Sequence, residues 1–401
     1  MWHTDGHAAG QVASAGVPPI LLVSELFPPA IGGSGVLLKN VYGRLAGIPV
    51  DVLTDAGQAV EDVSDGEMRI LRRRIAARDW GVRRPSALVH HLTVAARIRA
   101  LSRHAAPVVH CARVLPEGLA AWLAARLGGP RYVCWTHGEE LAYARASREL
   151  TALMRIVHRG AAAIVANSRN TAGLLEGLGV AAERIHVVHP GVDADRFHPD
   201  ADQGIGLRPT LGAPDEVIVL SVGRLQRRKG HDLALRAVAA LKHVSPRIKY
   251  VVVGDGRERV ALREMAQALE IEDRVMFAGA VDDAVLPAYF AACDVFLLPN
   301  RVEGIDFEGF GIVFLEAAAS GKPAIGGATG GVSEAIENGV TGLLVGGRDV
   351  GELASALERL VGAPRLRARM GDAARKRAQR EFGWRRAAAA VERLHRNIGM
   401  A

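Results

Sequence analysis

Short continuous apolar runs alternate along this chain with longer segments whose apolar residues recur every three or four positions. Ile20-Leu-Leu-Val-Ser24 is the first such run and predicts a strand buried on both faces. A loop with Pro28, Pro29, Gly32 and Gly33 follows, then a helical pattern from about Val36 to Ala46. Val50-Asp-Val-Leu-Thr54 predicts a second strand, and further strands are predicted near 67–71, 107–110, 131–135, 162–166 and 184–188. Helices are predicted between them near 86–103, 116–127, 147–159 and 169–178. Strand and helix in alternation imply a parallel sheet with helices on both faces. The pattern breaks from Pro199 to Pro214, where Gly204, Gly206, Pro209 and Gly212 predict a hinge. A second series opens at Glu216–Val222, with strands near 248–253, 274–278, 294–298, 323–326 and 342–345. From about Gly351 the chain reads as helix rich in Arg and Ala. The expected fold class is α/β, with two doubly wound parallel-sheet domains. The expected division is a tail over 1–17, a first domain over 18–200, a hinge over 201–215, a second domain over 216–381 and a terminal segment over 382–401.

Composition narrows the function classes. A chain of 401 residues has room for two or three domains, and 49% hydrophobic with 23% charged residues is globular. The net charge is +7, but aromatics are 5% and no run interleaves basic and aromatic residues. That argues against nucleic acid and for an anionic substrate or membrane surface. Cys111, Cys134 and Cys293 lie in or beside apolar segments without a C-x-x-C pattern, which predicts buried, reduced thiols in a cytosolic setting. No apolar run reaches the roughly 18 residues of a membrane span. Met1-Trp-His-Thr-Asp-Gly6 lacks the basic start and apolar core of a signal peptide. The 14 histidines show no H-E-x-x-H and no clustered ligand spacing.

The chemistry gathers at Asp306-Phe-Glu-Gly-Phe-Gly-Ile-Val-Phe-Leu-Glu316. This stretch follows the apolar run Val295–Pro299 and leads into a helical pattern closed by Gly321 and Pro323. Glu308 and Glu316 therefore bracket a helix start at the carboxyl end of a strand. Gly309 and Gly311 let the backbone approach a ligand, and the free amides of a helix start bind phosphate. Eight helical residues rise about 12 Å, which suits one acid on a sugar, amides of Phe310, Gly311, Ile312 and Val313 on a diphosphate, and a second acid on a ribose. Val222-Gly-Arg-Leu-Gln-Arg-Arg-Lys-Gly230 also ends a strand. Arg224 and Lys229 there can each neutralise a diphosphate oxygen, whereas Arg227 and Arg228 are expected to be solvated. Val253-Gly-Asp-Gly-Arg-Glu-Arg259 begins like a dinucleotide loop, but Arg259 stands where the third glycine belongs and Gly279 where the ribose-binding acid would stand. A hydride-transfer enzyme is excluded on this pattern. Gly254 and Gly256 are expected to touch the nucleotide, with simple turn glycines as the alternative. His137 and Gly138 end the strand Tyr132–Trp135, and Glu139 and Glu140 read as helix caps or as partners of acceptor hydroxyls. Thr329–Glu334 reads as a structural helix start. Asp193-Ala-Asp195 has D-x-D spacing but lies on a turn before the hinge. Seven arginines between Arg69 and Arg84, with Ile70, Leu71, Ile75 and Trp80 among them, read either as a solvated face or as a membrane-touching patch.

The Glu308–Glu316 spacing resembles the E-x7-E motif of retaining glycosyltransferases of family 4, which have the GT-B fold. The wording from Asp306 to Ile325 is similar to phosphatidylinositol mannoside mannosyltransferases and related bacterial polysaccharide or lipid glycosyltransferases. The resemblance is most specific over 217–347 and looser over 20–200. It implies two Rossmann-like domains facing across a cleft, with a last helix near Phe382–Ile398 crossing back to the first domain. It implies a nucleotide diphosphate sugar donor held by Arg224, Lys229, Gly33 and the 310–313 helix start. Glu308 would meet the donor sugar, His137 would contact it, and Glu316 would hold the ribose. Neither a metal nor a cofactor is implied. The leading donor is GDP-mannose, from the wording around Glu308, and a UDP-sugar is the alternative. The acceptor would be a hydroxyl of a lipid-linked or polysaccharide precursor, with the enzyme in the cytoplasm or peripheral on the inner face of the membrane. The rivals are a GT-B epimerase, which would need acid–base residues on both sides of the sugar, a phosphorylase, which would need a further anion site or a lysine-bound cofactor, and a non-catalytic nucleotide-binding module.

Overall fold

The structure, a computed structural model, describes residues 17–30, 32–57, 62–66, 68–103, 107–200, 202–244 and 246–400. The expected tail lies outside these residues but for Val17. The first domain carries strands β1 (Ile20–Ser24), β2 (Val50–Asp55), β3 (Val63–Asp65), β4 (Met68–Arg73), β5 (Val108–Cys111), β6 (Tyr132–Thr136), β7 (Ala163–Ala166) and β8 (Ile185–Val187). They form one sheet in the order β3-β4-β2-β1-β5-β6-β7-β8, parallel except for the β3–β4 pair. The second domain carries β9 (Val217–Val222), β10 (Ile248–Val253), β11 (Val275–Gly279), β12 (Val295–Leu298), β13 (Ala324–Gly327) and β14 (Gly342–Val345). Their order is β11-β10-β9-β12-β13-β14, parallel throughout. Two doubly wound sheets of this kind make the chain an α/β protein of two parallel-sheet domains, the fold class expected from the sequence.

Each sheet buries both faces where its central strands are apolar on both sides. On β1, Leu21 and Val23 enter one core, while Ile20 and Leu22 enter the other. The second of these cores is completed by Trp384, Val391, Leu394 and Ile398 from the terminal helix Trp384–Met400. That helix is reached through Val192, whose amide donates to the Phe382 carbonyl at 2.7 Å. The order in which strands are added reverses at β1, between β2 and β5, and at β9, between β10 and β12. Ligands of open parallel sheets bind beyond the carboxyl ends at such points, and the two crevices face one another.

Three stretches depart from the sequence reading. The expected hinge holds a helix, Asp202–Leu211, despite its glycines and Pro209. Arg208 fastens it to the second domain through the Ala292 carbonyl at 2.7 Å and Asp294 at 3.0 Å, so packing overrides local propensity. A short antiparallel strand, β3, precedes β4, and a short helix, Glu139–Arg145, follows β6; neither carries enough apolar periodicity to be read.

Candidate active site

The loop between β12 and the helix Ile312–Ala319 brings the predicted acids to the crevice. Glu308 is buried, and its Oε2 accepts three bonds: from Lys229 Nζ at 2.5 Å, Arg228 Nη1 at 2.8 Å and Asn300 Nδ2 at 2.8 Å. Burial alone would raise this carboxyl, but Lys229 and Arg228 outweigh it and hold the group below its usual range. No bond to Oε1 exists among the described residues. Gly311 precedes the helix with φ 87°, and a β-carbon there would stand 2.7 Å from the Phe314 ring, so only glycine fits this turn. The amides of Phe310, Gly311, Ile312 and Val313 find no acceptor among the described residues, and no side chain caps the helix. These free donors suit an anion. The Phe310 side chain turns away into the core, against His189 and Phe382.

One turn into that helix stands Glu316. Its Oε2 is buried without a partner, and burial pushes the carboxyl up to about 7, against the pull of Arg196. A buried acceptor left unpaired is costly unless a ligand completes it. A ribose hydroxyl would do so, and the residues present fit one.

The loop after β9 supplies the cations. Arg224 is exposed and pairs with no carboxylate among the described residues, which leaves it open to a diphosphate. Lys229 points inward to Glu308. Arg228 corrects the sequence reading. Expected in solvent, its side chain is 4% exposed and joins three acids: Glu308, Glu139 at 2.7 Å and Asp306 at 3.2 Å. The turn Arg227–Lys229 rotates Arg227 outward and the next two residues in, which three consecutive basic letters cannot reveal. Asn300, at the end of β12, is likewise missed by the sequence; it is fully buried behind Glu308.

Gly254 and Gly256 are at the neighbouring strand end, but their lack of side chains serves packing. A β-carbon on Gly254 would stand 2.0 Å from the Gly223 carbonyl oxygen, and one on Gly256 2.5 Å from that of Leu225. They shape the Arg224 loop, and their backbone stays at the strand end where a nucleotide contact is expected.

The first domain presents His137 and Gly33. Gly33 opens the helix Gly33–Tyr42, and a β-carbon on it would stand 4.0 Å from Ile312 Cδ1, so the glycine loop faces the second domain's helix start. His137 stacks parallel to Trp135, and burial pushes it down to about 4, so it is neutral at physiological pH. Its Nε2 lies 3.0 Å from the Ala112 carbonyl, an acceptor only, so Nε2 carries the proton and Nδ1 is left as an acceptor. Glu140 accepts from the His137 amide at 2.8 Å; it ties down the His137 backbone and does not cap a first-turn amide of the helix Glu139–Arg145. Glu139 instead reaches across to Arg228. Glu334, read as a structural first turn, also crosses: it accepts from the amides of Arg169 and Asn170 at 2.9 and 3.0 Å and from His189 at 2.7 Å. Asp193 accepts from the amides of Asp195 and Arg196, a turn cap.

Comparison with known proteins places this geometry. The model described as Glycosyltransferase Family 4 matches residues 31–196, and the model described as Glycosyl transferases group 1 matches 207–377. A Mycolicibacterium smegmatis protein named GDP-mannose-dependent alpha-(1-6)-phosphatidylinositol monomannoside mannosyltransferase is 33% identical over 94% of this chain and 97% of its own. A D-inositol 3-phosphate glycosyltransferase of Thermobifida fusca is 32% identical over 85% of this chain and 83% of its own. Among solved structures, sucrose-phosphate synthase of Thermosynechococcus elongatus superposes with a TM-score of 0.80 at 24% identity, over 95% of this chain and 98% of that one. The Anabaena protein HepE, in complex with UDP, gives 0.78 at 20% identity, over 94% and 99%. Both likenesses concern the fold.

Proposed function

The chain belongs to the family 4 glycosyltransferases, and on that premise we propose that it moves mannose from GDP-mannose, with retention, to a hydroxyl of a lipid-linked or polysaccharide-precursor acceptor. One observation carries the reading: two carboxylates with open oxygens, Glu308 and Glu316, flank a row of free amides. A ligand with hydroxyls at both ends and negative charge between them suits that row, and a nucleotide diphosphate sugar has this form. The 33% identity to a relative named as GDP-mannose-dependent supports the choice of donor.

Positioning and charge would do most of the chemical work. Arg224, Lys229 and the amides from Phe310 to Val313 hold the diphosphate. Glu308 holds donor-sugar hydroxyls beside the anomeric carbon, where positive charge develops as the bond to the diphosphate oxygen breaks. Neutral His137 accepts from a sugar hydroxyl through Nδ1. The acceptor oxygen forms its bond to the anomeric carbon on the face the diphosphate leaves, and the departing oxygen takes the acceptor's proton. A second reading is a UDP-sugar donor with a small-molecule acceptor; the relative named D-inositol 3-phosphate glycosyltransferase supports a cyclitol phosphate as that acceptor. A panel of nucleotide sugars, read by release of the nucleoside diphosphate, tests both. GDP-mannose is expected to turn over fastest; turnover of UDP-sugars alone replaces the first reading with the second. An inverted anomer in the product spectrum rules out retention.

The protein is proposed to work peripherally on the inner membrane face. Among the described residues no helix is long and apolar enough to cross a membrane. The helix Pro85–Ser102 exposes Leu88, Val89 and Leu92, and Arg74 and Arg78 are exposed just before it. The other five arginines of the basic stretch are engaged: Arg69 with Asp51, Arg73 with Asp62, Arg83 with Glu149, Arg84 with Asp79, and Arg72 with the Pro28 carbonyl.

A further inference from the structure

A chain of buried polar side chains runs through the apolar core beneath the terminal helix. Tyr42, His110, Trp135 and His395 are each at most 1% exposed. Trp135 Nε1 donates to the Tyr42 hydroxyl at 2.9 Å, and that hydroxyl lies 2.7 Å from His110 Nδ1. His110 Nε2 lies 3.2 Å from His395 Nδ1, and His395 Nε2 lies 2.7 Å from the Pro18 carbonyl. The carbonyl only accepts, so His395 carries its proton on Nε2 and accepts through Nδ1. His110 must then donate through Nε2 and accept through Nδ1 from the Tyr42 hydroxyl. Burial holds both imidazoles neutral, as this pattern requires. Apolar side chains would fill the same core at less cost; a polar chain satisfied at every link fixes one arrangement instead.

The elements it joins carry the first domain's share of the site. Tyr42 closes the helix that Gly33 opens. His110 stands two residues before Ala112, whose carbonyl accepts from His137 Nε2. Trp135 stands two residues before His137, and the two rings lie 13° from parallel with their centres 6.1 Å apart. His395 comes from the terminal helix, which the chain enters from residues packed with the second domain. We propose that Tyr42, His110 and His395 are positioning residues for His137: the terminal helix, seated through His395, sets the Trp135 ring and the Ala112 carbonyl, and so the direction in which His137 Nδ1 points. A terminal helix that leaves its seat removes the acceptor of His110 Nε2, and His110 can then turn and release Tyr42 and Trp135. Only the consequence for turnover rests on the glycosyltransferase reading.

Nitrogen-15 NMR of the full chain with labelled histidine tests the chain, the His137 signals being those that His137→Asn removes. His110 and His395 should both appear as neutral Nε2–H tautomers. His395→Phe keeps a ring in the core but loses both bonds, and Tyr42→Phe loses one oxygen. Each is expected to move the His137 Nδ1 signal. Val391→Ala, on the same helix but outside the chain, loosens packing alone and should leave that signal in place. In turnover of GDP-mannose, read by release of GDP, His395→Phe and Tyr42→Phe should lower kcat about ten- to a hundredfold, the effect of a misplaced group, with KM for the donor unchanged. Should His395→Phe fail to fold, Tyr42→Phe carries the test alone. An unmoved His137 signal in the folded variants, or an equal shift in Val391→Ala, overturns the proposal. A moved signal with unchanged kcat upholds the chain and overturns instead the contact of His137 with the donor sugar. If the wild type does not turn over GDP-mannose, the choice of donor fails and the NMR result still decides the chain.

Discussion

At the scale of single residues, the two glutamates differ in what they lack. Glu308 is surrounded by donors and stays ionised; Glu316 has none and is held neutral up to about pH 7. Their substitutions should therefore separate. Glu308→Gln is expected to cut single-turnover rate by about a hundredfold, as loss of a preorganised charge does, with little effect on free GDP. Glu316→Gln is expected to weaken GDP and GDP-mannose alike by about 1–3 kcal/mol, the worth of a buried bond to ribose. Calorimetry and quenched-flow rates decide; an exchange of the two phenotypes would mean the donor lies the other way round. Glu316 also makes a pH prediction. Between pH 4.5 and about 7 the native state holds more protons on this group than the unfolded chain does, so it costs stability as pH rises through that window. Without nucleotide, Glu316→Gln should melt higher than wild type at pH 8 and alike at pH 4. A Tm difference independent of pH would show that Glu316 is already paired.

At the scale of elements, the decisive one is the start of the helix Ile312–Ala319. Gly311→Ala forces a β-carbon into φ 87° and into the Phe314 ring. A cost of about 1–3 kcal/mol in stability is expected, with loss of GDP affinity beyond what Phe314 packing explains. Denaturant unfolding and calorimetry on the same preparation measure both; unchanged GDP binding would take the diphosphate off this helix start. The helix Pro85–Ser102 carries the membrane prediction. The protein should sediment with anionic vesicles at low salt and leave them as salt rises, since Arg74, Arg78, Arg83 and Arg84 stand exposed before and at the start of this helix. Equal sedimentation with neutral vesicles, or none with either, would remove the patch.

At the scale of the molecule, the two domains meet through charges that belong to different sheets. Glu139 reaches Arg228, and Glu334 caps the first turn of the helix Arg169–Glu176 from across the cleft. A carboxylate at a helix start is worth about 1 kcal/mol. Glu334→Gln should therefore loosen the closed arrangement without unfolding either sheet, and hydrogen exchange at the amides of Arg169 and Asn170 should quicken while that of β7 does not. Unchanged exchange at those amides would mean that the contact does not hold the domains together. The terminal helix acts at the same scale. Its Trp384, Val391 and Leu394 fill a core of the first domain, although the residues just before it pack with the second.

Alternation of apolar runs with helical periods was enough to determine two parallel sheets, because a strand buried on both faces must be apolar at every position. The glycines and acids around Glu308 were legible for a similar reason: a helix start at a strand end has few uses, and its φ 87° turn accepts only Gly311. Glu308, Lys229 and the 310–313 amides could be named from the chain alone. What tertiary structure decided was pairing. Arg228 looks no different in sequence from its neighbour Arg227, yet one is buried among three carboxylates and the other is exposed. The helix Asp202–Leu211 forms against its own composition because Arg208 and the second domain hold it. That a side chain at Gly254 would collide with the Gly223 carbonyl is likewise a matter of long-range packing that the chain does not print. Burial and long-range partners set the charge state of Glu308 and Glu316 in opposite directions, and neither can be read from residues eight apart on one strand-to-helix turn.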